Sequence, residues 1–346
     1  MAETMRVAVY HSNSDIRIEE RPIPKIGPGE SLVRIHASGI CGSDVMEWYR
    51  LPKAPLVLGH EVAGEVVEVG QGVTNVAVGD RVVVSHHVPC STCRQCLEGN
   101  HTACQTLHTT NFDPGGFSEY VRVPALQTDR GILHLPDDVT YAQGSFVEPL
   151  GCVARAQMRA GVRPGSTVLV IGSGISGLLH IRLAVALGAG RVFATDVSQY
   201  RLDWARRSGA TEAFDAAAAG EDLSELLRAA NGGRLADLVM LSTGALPAIA
   251  QAISCLESGA TFVFFAPPPP DQPLELPMAD LWRREVEIRT AYGAAPSDLS
   301  MALDLIATRR VRVEDLITHC LSLDQAAEGF GLVASANNSV KVIIEP

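Results

Sequence analysis

Residues 167–177 read Thr-Val-Leu-Val-Ile-Gly-Ser-Gly-Ile-Ser-Gly, and residues 191–196 read Arg-Val-Phe-Ala-Thr-Asp. A strand, Val168 to Ile171, runs into Gly172-Ser-Gly174-Ile-Ser-Gly177, and a helix from Ile175 to Leu187 follows, closed by Gly188. Gly172 permits the tight turn, Gly174 lets the backbone reach a pyrophosphate, and Gly177 lets helix and strand pack closely, with the anion at the helix N-terminus. Ile175 and Ser176 belong to the same phosphate-binding loop. The next strand ends at Asp196. An acid at that position accepts hydrogen bonds from both adenosine ribose hydroxyls and repels a 2′-phosphate, so NAD is expected over NADP. Arg201, close behind, pulls weakly the other way, because a guanidinium can receive that phosphate. A lone G-x-G-x-x-G marks many turns; here the strand before it and the helix after it supply the context. A domain of this fold that binds no dinucleotide stays the alternative reading.

Outward from this stretch the alternation of strand and helix continues. Tyr200–Arg207 reads as a helix, ADLVMLS (236–242) as a strand, 247–256 as a helix and ATFVFFA (260–266) as a strand. Such alternation builds a parallel, doubly wound sheet. Val286 to Tyr292 reads as its edge strand, with Val286, Ile288 and Thr290 alternating against Glu287 and Arg289. Residues 6–85 carry short β segments instead, MRVAVY, SLVRIHASGI, EVAGEVVEVG and DRVVVS, broken by PIPKIGPGE and Gly79-Asp80. After Ser297 come a helix, the strand-like THCLSL, another helix through Phe330 and VKVIIEP, which are expected to return to the first domain. The expected class is α/β, with a discontinuous β-rich domain over 1–150 and 291–346 and a dinucleotide-binding domain over 151–290. The short runs Ala216–Ala219 and Pro267–Pro270 read as ordinary loops.

Bulk composition narrows the function classes. At 346 residues the chain has room for two cores, and 47% apolar with 19% charged residues excludes wholesale disorder. A net charge of -11 repels phosphate backbones, so no nucleic-acid partner is expected. Apolar runs stop well short of the roughly 20 residues that span a bilayer, and MAETMRVAVY lacks a basic, then apolar, leader. No membrane partner is expected, and the reducing cytosol is the expected compartment.

Eight cysteines stand at 41, 90, 93, 96, 104, 152, 255 and 320. Chain size and compartment argue against disulfides. The spacing of Cys90, Cys93, Cys96 and Cys104 can aim four thiolates at one point, as a closed structural zinc site requires. An iron–sulfur cluster also takes four thiolates. Cys41-Gly42-Ser43-Asp44 and Gly59-His60-Glu61 add a second mixed set, and cysteine, histidine and carboxylate with an open fourth position make a catalytic zinc site. Alone, such a histidine is more often core packing than a ligand.

Gly59-His60-Glu61-x-x-Gly64 with Gly70 and Val73, the four-cysteine lobe and the glycine fingerprint, in this order, resemble the zinc-dependent medium-chain dehydrogenase/reductase family over nearly the whole chain. Phe146-Val-Glu148-Pro149-Leu150 places the closest likeness in the sorbitol and threonine dehydrogenase branch. The resemblance implies a GroES-like catalytic domain beside a Rossmann domain, two zincs per chain, NAD, and a homodimer or homotetramer. It implies Cys41, His60 and either Glu61 or Glu148 around the catalytic zinc, the two glutamates exchanging during turnover. Asp44 would orient the histidine ligand; a helix-capping role is its other reading. Ser43 would receive the alcohol proton, but Met46 stands where many relatives continue the relay with a histidine, leaving water, Glu148 or Glu47. His87, Trp48, Tyr49, Asn111 and Phe112 are candidates for the substrate pocket. Ser242, Thr243, Gly244, Ala266 and Tyr292, at expected strand ends, would lie near the nicotinamide. The implied activity is oxidation of a secondary alcohol, polyol or sugar-like, to a ketone by hydride transfer to nicotinamide. Alternatives are an amino-alcohol substrate, with Arg50 a possible carboxylate partner, and a non-catalytic dinucleotide-binding protein.

Overall fold

The structure, a computed structural model, describes residues 3–346, which divide into two compact units, one running up to Gly151 and resuming over Gly293–Pro346, the other Cys152–Tyr292. Among the described residues the second unit has one parallel sheet, ordered Glu212–Asp215, Arg191–Asp196, Thr167–Ile171, Ala236–Leu241, Leu256–Phe264, Glu287–Thr290. The chain builds outward in one direction from Thr167–Ile171 and then returns to build outward in the other. The strand order therefore reverses between Thr167–Ile171 and Ala236–Leu241, and a sheet of this kind opens a ligand crevice at the carboxyl ends there. Every residue of Thr167–Ile171 is buried, as a strand with helices over both faces requires. Helix Ile175–Ala186 is buried continuously from Gly177 to Ala184, so its apolar residues form no narrow stripe.

Three local readings need correction. Ala216–Ala219 is a helical turn and no loop, because Asp215 Oδ1 accepts the N–H groups of Ala217 at 2.9 Å and Ala218 at 3.1 Å and so starts the helix. Strand Glu212–Asp215 and helix Leu223–Ala230 were not foreseen, being short and flanked by alanines that carry no period. The helix expected to reach Leu256 is Leu246–Ser254, and Leu256 opens the following strand. That strand pairs Leu256 with Ala236 and then jumps to Thr261 opposite Leu238, so an irregularity around Gly259 hid its true start.

In the first unit, strand Lys341–Glu345 pairs with Ser31–Gly39, which pairs in turn with Glu61–Val69, Arg81–Val84 and Ile132–His134 following beyond. Tyr120–Val123 also pairs with Ser31–Gly39, and Ile317–Ser322 pairs with Lys341–Glu345 as the sheet's outer strand. Thr4–Ser12 pairs with Asp15–Pro22, a strand the sequence reading passed over, and with Leu56–Val57. Helix Ala326–Ser335 packs Phe330 into the same core as Tyr10, Phe117 and Ile344. The C-terminal segment thus contributes both a strand and core side chains to the fold of the first 151 residues.

Candidate metal centre and cofactor cradle

Strands Ser31–Gly39 and Glu61–Val69 run antiparallel with Gly39 opposite Glu61. That register carries Cys41, just beyond one strand end, to His60 and Glu61 at the start of the other. Ligand atoms of Cys41, His60 and Glu61 lie within 4.8 Å of one another. Cys41 caps the short turn Gly42–Val45, its sulfur accepting the Ser43 N–H at 3.5 Å. The two carboxylate oxygens of Asp44 have different partners. Oδ2 accepts the Cys41 N–H at 3.0 Å, closing the cap, while Oδ1 faces His60 Nδ1 at 3.5 Å and Arg50 Nη2 at 3.2 Å.

The charged groups around the centre shift one another. Burial alone would push His60 down, but the Asp44 carboxylate and the Cys41 sulfur outweigh it and raise the imidazole well above its usual range. Burial would push Asp44 up, and the facing His60 and Arg50 outweigh that and hold it low. Glu61 is fully buried: one oxygen pairs with the ammonium of Lys341, which also donates to the Ile40 carbonyl at 3.1 Å, while Oε1 has no hydrogen-bond partner. An orphaned carboxylate oxygen beside a cysteine sulfur and an imidazole is the donor set of zinc. Glu148, in the first turn of helix Val147–Ala160, is buried but not among the groups that meet there.

His86 and His87 extend the site as a row of imidazoles. Ring centroids are 4.9 Å apart between His60 and His86 and 3.8 Å between His86 and His87. Burial and the neighbouring imidazoles push His86 well below its usual value and His87 down to about 4, and His87 is no solvent-facing strand end. Other pocket candidates separate. Phe112 is corrected to core, packed with Val33, Ile35, Val62 and Val121. Asn111 is exposed and committed to its own turn, its Oδ1 accepting the Phe112 N–H and its carbonyl the Gln127 side chain. Trp48 is exposed beside Tyr49. Glu47 accepts the Asn13 N–H at 3.3 Å. Lys341 lies outside the expected site residues, its available signal being a single lysine beside the apolar run Val342, Ile343 and Ile344. Arg50, expected only as a carboxylate partner for an amino-alcohol substrate, turns instead onto Ser43 and Asp44.

The four-cysteine lobe converges on one point, with sulfur separations of 3.5 Å (Cys93–Cys96), 3.6 Å (Cys104–Cys90) and 4.0 Å (Cys90–Cys96). Four sulfurs about 2.3 Å from a tetrahedral zinc stand about 3.8 Å apart. Hydrogen bonds from Thr92 and the Cys93 backbone push Cys90 down to about 5, whereas burial and Cys93 push Cys96 up to about 12. Crowded sulfurs so divided cannot all ionise without a metal among them.

In the second unit the glycine loop forms a cradle. Gly172 has φ +89° and lies against Thr243, and a Cβ at Gly177 would collide with the Gly172 carbonyl. Above Gly174 the nearest atom to an added Cβ is Arg201 Nη1 at 3.9 Å, and no side chain caps the helix that begins at Ile175. The space and the bare N–H groups, Ser176 included, fit a pyrophosphate. Asp196 is held by the N–H groups of Ser173 (2.8 Å) and Ser198 (3.0 Å), with Arg201 3.9 Å away. Ser242 follows strand Ala236–Leu241 with its hydroxyl buried and unpartnered, next to Thr243; Ala266 follows Leu256–Phe264, and Tyr292 is a half-exposed residue beyond Glu287–Thr290.

Comparison with known proteins agrees with these arrangements. Residues 27–137 match the alcohol dehydrogenase GroES-like domain and residues 176–308 the zinc-binding dehydrogenase domain. The chain is 34% identical to sorbitol dehydrogenase of Gallus gallus, covering 97% of this chain and 95% of that one. It superposes on 2R,3R-butanediol dehydrogenase of Bacillus subtilis with TM-score 0.86 at 29% identity over 99% of both chains. A Sinorhizobium meliloti 1021 protein solved with NADP bound gives TM-score 0.88 at 28% identity over 100% of both. With a GroES-like unit holding the mixed metal cluster and the cysteine lobe, and a Rossmann unit holding the glycine cradle, the chain belongs to the zinc-dependent medium-chain dehydrogenase/reductase family and is an alcohol dehydrogenase of its sorbitol dehydrogenase-like branch.

Proposed function

We propose that this enzyme oxidises a secondary alcohol of polyol type to the ketone at the Cys41–His60–Glu61 centre, with NAD as the hydride acceptor. The observation that carries the reading is the buried Glu61 Oε1, without a partner beside a cysteine and a histidine. Cys41, His60 and Glu61 would hold the catalytic zinc, and Cys90, Cys93, Cys96 and Cys104 the structural one. When bound, zinc polarises the alcohol oxygen as a Lewis acid and the nicotinamide takes the hydride. Asp44 fixes the His60 ring through its Nδ1. The Ser43 hydroxyl is the donor and acceptor for the substrate oxygen. Asp196 receives the adenosine ribose, with Arg201 beside it, and the Gly172–Gly177 loop binds the pyrophosphate. Assembly of two copies through the bare edge Glu287–Thr290, whose four residues are all exposed, completes the reading.

The amino-alcohol alternative loses its candidate cation, because Arg50 is committed to Ser43 and Asp44. A panel of polyols, simple secondary alcohols and amino alcohols, followed by NADH or NADPH absorbance on the zinc-loaded protein, tests the reading. Highest kcat/KM is expected for a polyol with NAD. Turnover confined to amino alcohols, or a preference for NADP, overturns the corresponding part.

A further inference from the structure

Arg50 closes the helical turn Glu47–Arg50 and folds back onto the preceding one. Its Nε donates to the Ser43 carbonyl at 2.9 Å, and its Nη2 to Ser43 Oγ at 3.1 Å and to Asp44 Oδ1 at 3.2 Å. The guanidinium carbon lies 4.6 Å from the centre of the Tyr49 ring, and only 13% of the side chain is exposed. The position is also informative, since Met46 leaves the Ser43 hydroxyl without the imidazole that the family resemblance implies.

We propose that Arg50 is a positioning residue that turns the Ser43 hydroxyl into an oriented hydrogen-bond donor to the substrate oxygen; this rests on the alcohol dehydrogenase reading above. A guanidinium offers N–H donors and no acceptor, whereas a serine hydroxyl has one proton and two lone pairs. With Nη2 filling one lone pair of Oγ, the hydroxyl proton must point away from Arg50. A hydrogen bond from a cation polarises the hydroxyl and strengthens its own donation. Once the alcohol proton has left to water, such a donor stabilises the resulting alkoxide oxygen, from whose carbon the hydride departs to NAD, more than it stabilises the neutral alcohol. Arg50 cannot accept a proton from Ser43, so it supplies orientation and field in place of a relay. The contact to Asp44 Oδ1 could instead make Arg50 a mere support of the metal ligand His60, and the test separates the two.

The test is a double-mutant cycle of Arg50→Gln and Ser43→Ala on the zinc-loaded enzyme, with Arg50→Lys as the conservative variant. The readouts are kcat/KM for the alcohol, KM for NAD, zinc per chain, and the Kd of trifluoroethanol in the presence of NAD. Arg50→Gln is expected to lower kcat/KM about tenfold to a hundredfold and to weaken trifluoroethanol binding about tenfold, with zinc content and KM for NAD unchanged. In the Ser43→Ala background the same substitution should change either quantity less than about threefold, since the group it acts through is gone. Arg50→Lys, keeping a charged donor, should recover part of the loss. Effects that multiply across the cycle, zinc lost from Arg50→Gln, or wild-type kinetics in that variant overturn the proposal. A wild-type enzyme that oxidises no alcohol of the panel would instead overturn the functional reading on which it rests.

Discussion

Glu61 and Lys341 show what a single residue can hide. The ammonium is fully buried, yet it sits between the Glu61 carboxylate and the Ile40 carbonyl, so its charge is compensated on two sides. Gly39 separates the two strands at that point, and any Cβ there would collide with both side chains, which is why a glycine stands in the strand. The sequence made Glu61 legible as a ligand from the His60-Glu61 pair, but its partner lies 280 residues away and could be read only as a lone lysine in VKVIIEP. Replacing Lys341 by Met leaves a buried carboxylate without its cation, a change that costs about 3–5 kcal/mol when a buried pair is broken from one side. Urea unfolding of Lys341→Met should show that loss, and Glu61→Gln in the same chain should restore a large part of it. Unchanged stability in the single variant would mean that the pair does not form.

Elements divide by how much chemistry each had to carry. The cysteine lobe was legible because its ligands lie within 15 residues of one another, so local spacing sufficed. Its convergence predicts that Cys93→Ala lowers Tm sharply and releases one zinc, since a closed site contributes directly to folding; a variant with unchanged Tm and unchanged zinc would show that the lobe holds no metal. Helix Ile175–Ala186 was legible from its glycines, but not its continuous burial from Gly177 to Ala184, because that depends on which neighbours cover it. One consequence is His180, fully buried against Phe265 and Gln157, where burial pushes the imidazole from 6.5 down to about 3. Above pH 6.5 it is neutral in both folded and unfolded chains. Between 6.5 and about 3 only the unfolded chain takes up the proton, so this residue makes stability fall with pH, by up to about 1.4 kcal/mol per unit. Denaturation from pH 7 to 4 should therefore be shallower for His180→Gln than for wild type. Parallel curves would remove His180 from the acid response.

At the scale of the whole molecule, the order of the three motifs along the chain made the family readable, because each carries its own geometric requirement. What stayed out of reach was set by packing and by contacts distant in sequence: Phe112 entered the core, and Lys341 reached Glu61 across 280 positions. No helix among the described residues is long and apolar enough to cross a membrane. The sheet edge Glu287–Thr290 is uncovered, Ile288 is 38% exposed, and Trp282 and Met278 stand exposed at 77% and 57%. Pairing of two such edges across a twofold axis would bury them, so sedimentation should find a dimer or tetramer that Ile288→Asp converts to smaller species; a wild-type monomer at micromolar concentration would contradict it. The central claim, an open metal site at Cys41, His60 and Glu61 that performs the oxidation, is tested most directly by counting zinc per chain and following NADH formation from a polyol in wild type and Cys41→Ala. Two zincs and turnover in wild type, against one zinc, a kept fold and no turnover in Cys41→Ala, is the predicted result. Full activity in Cys41→Ala would contradict it.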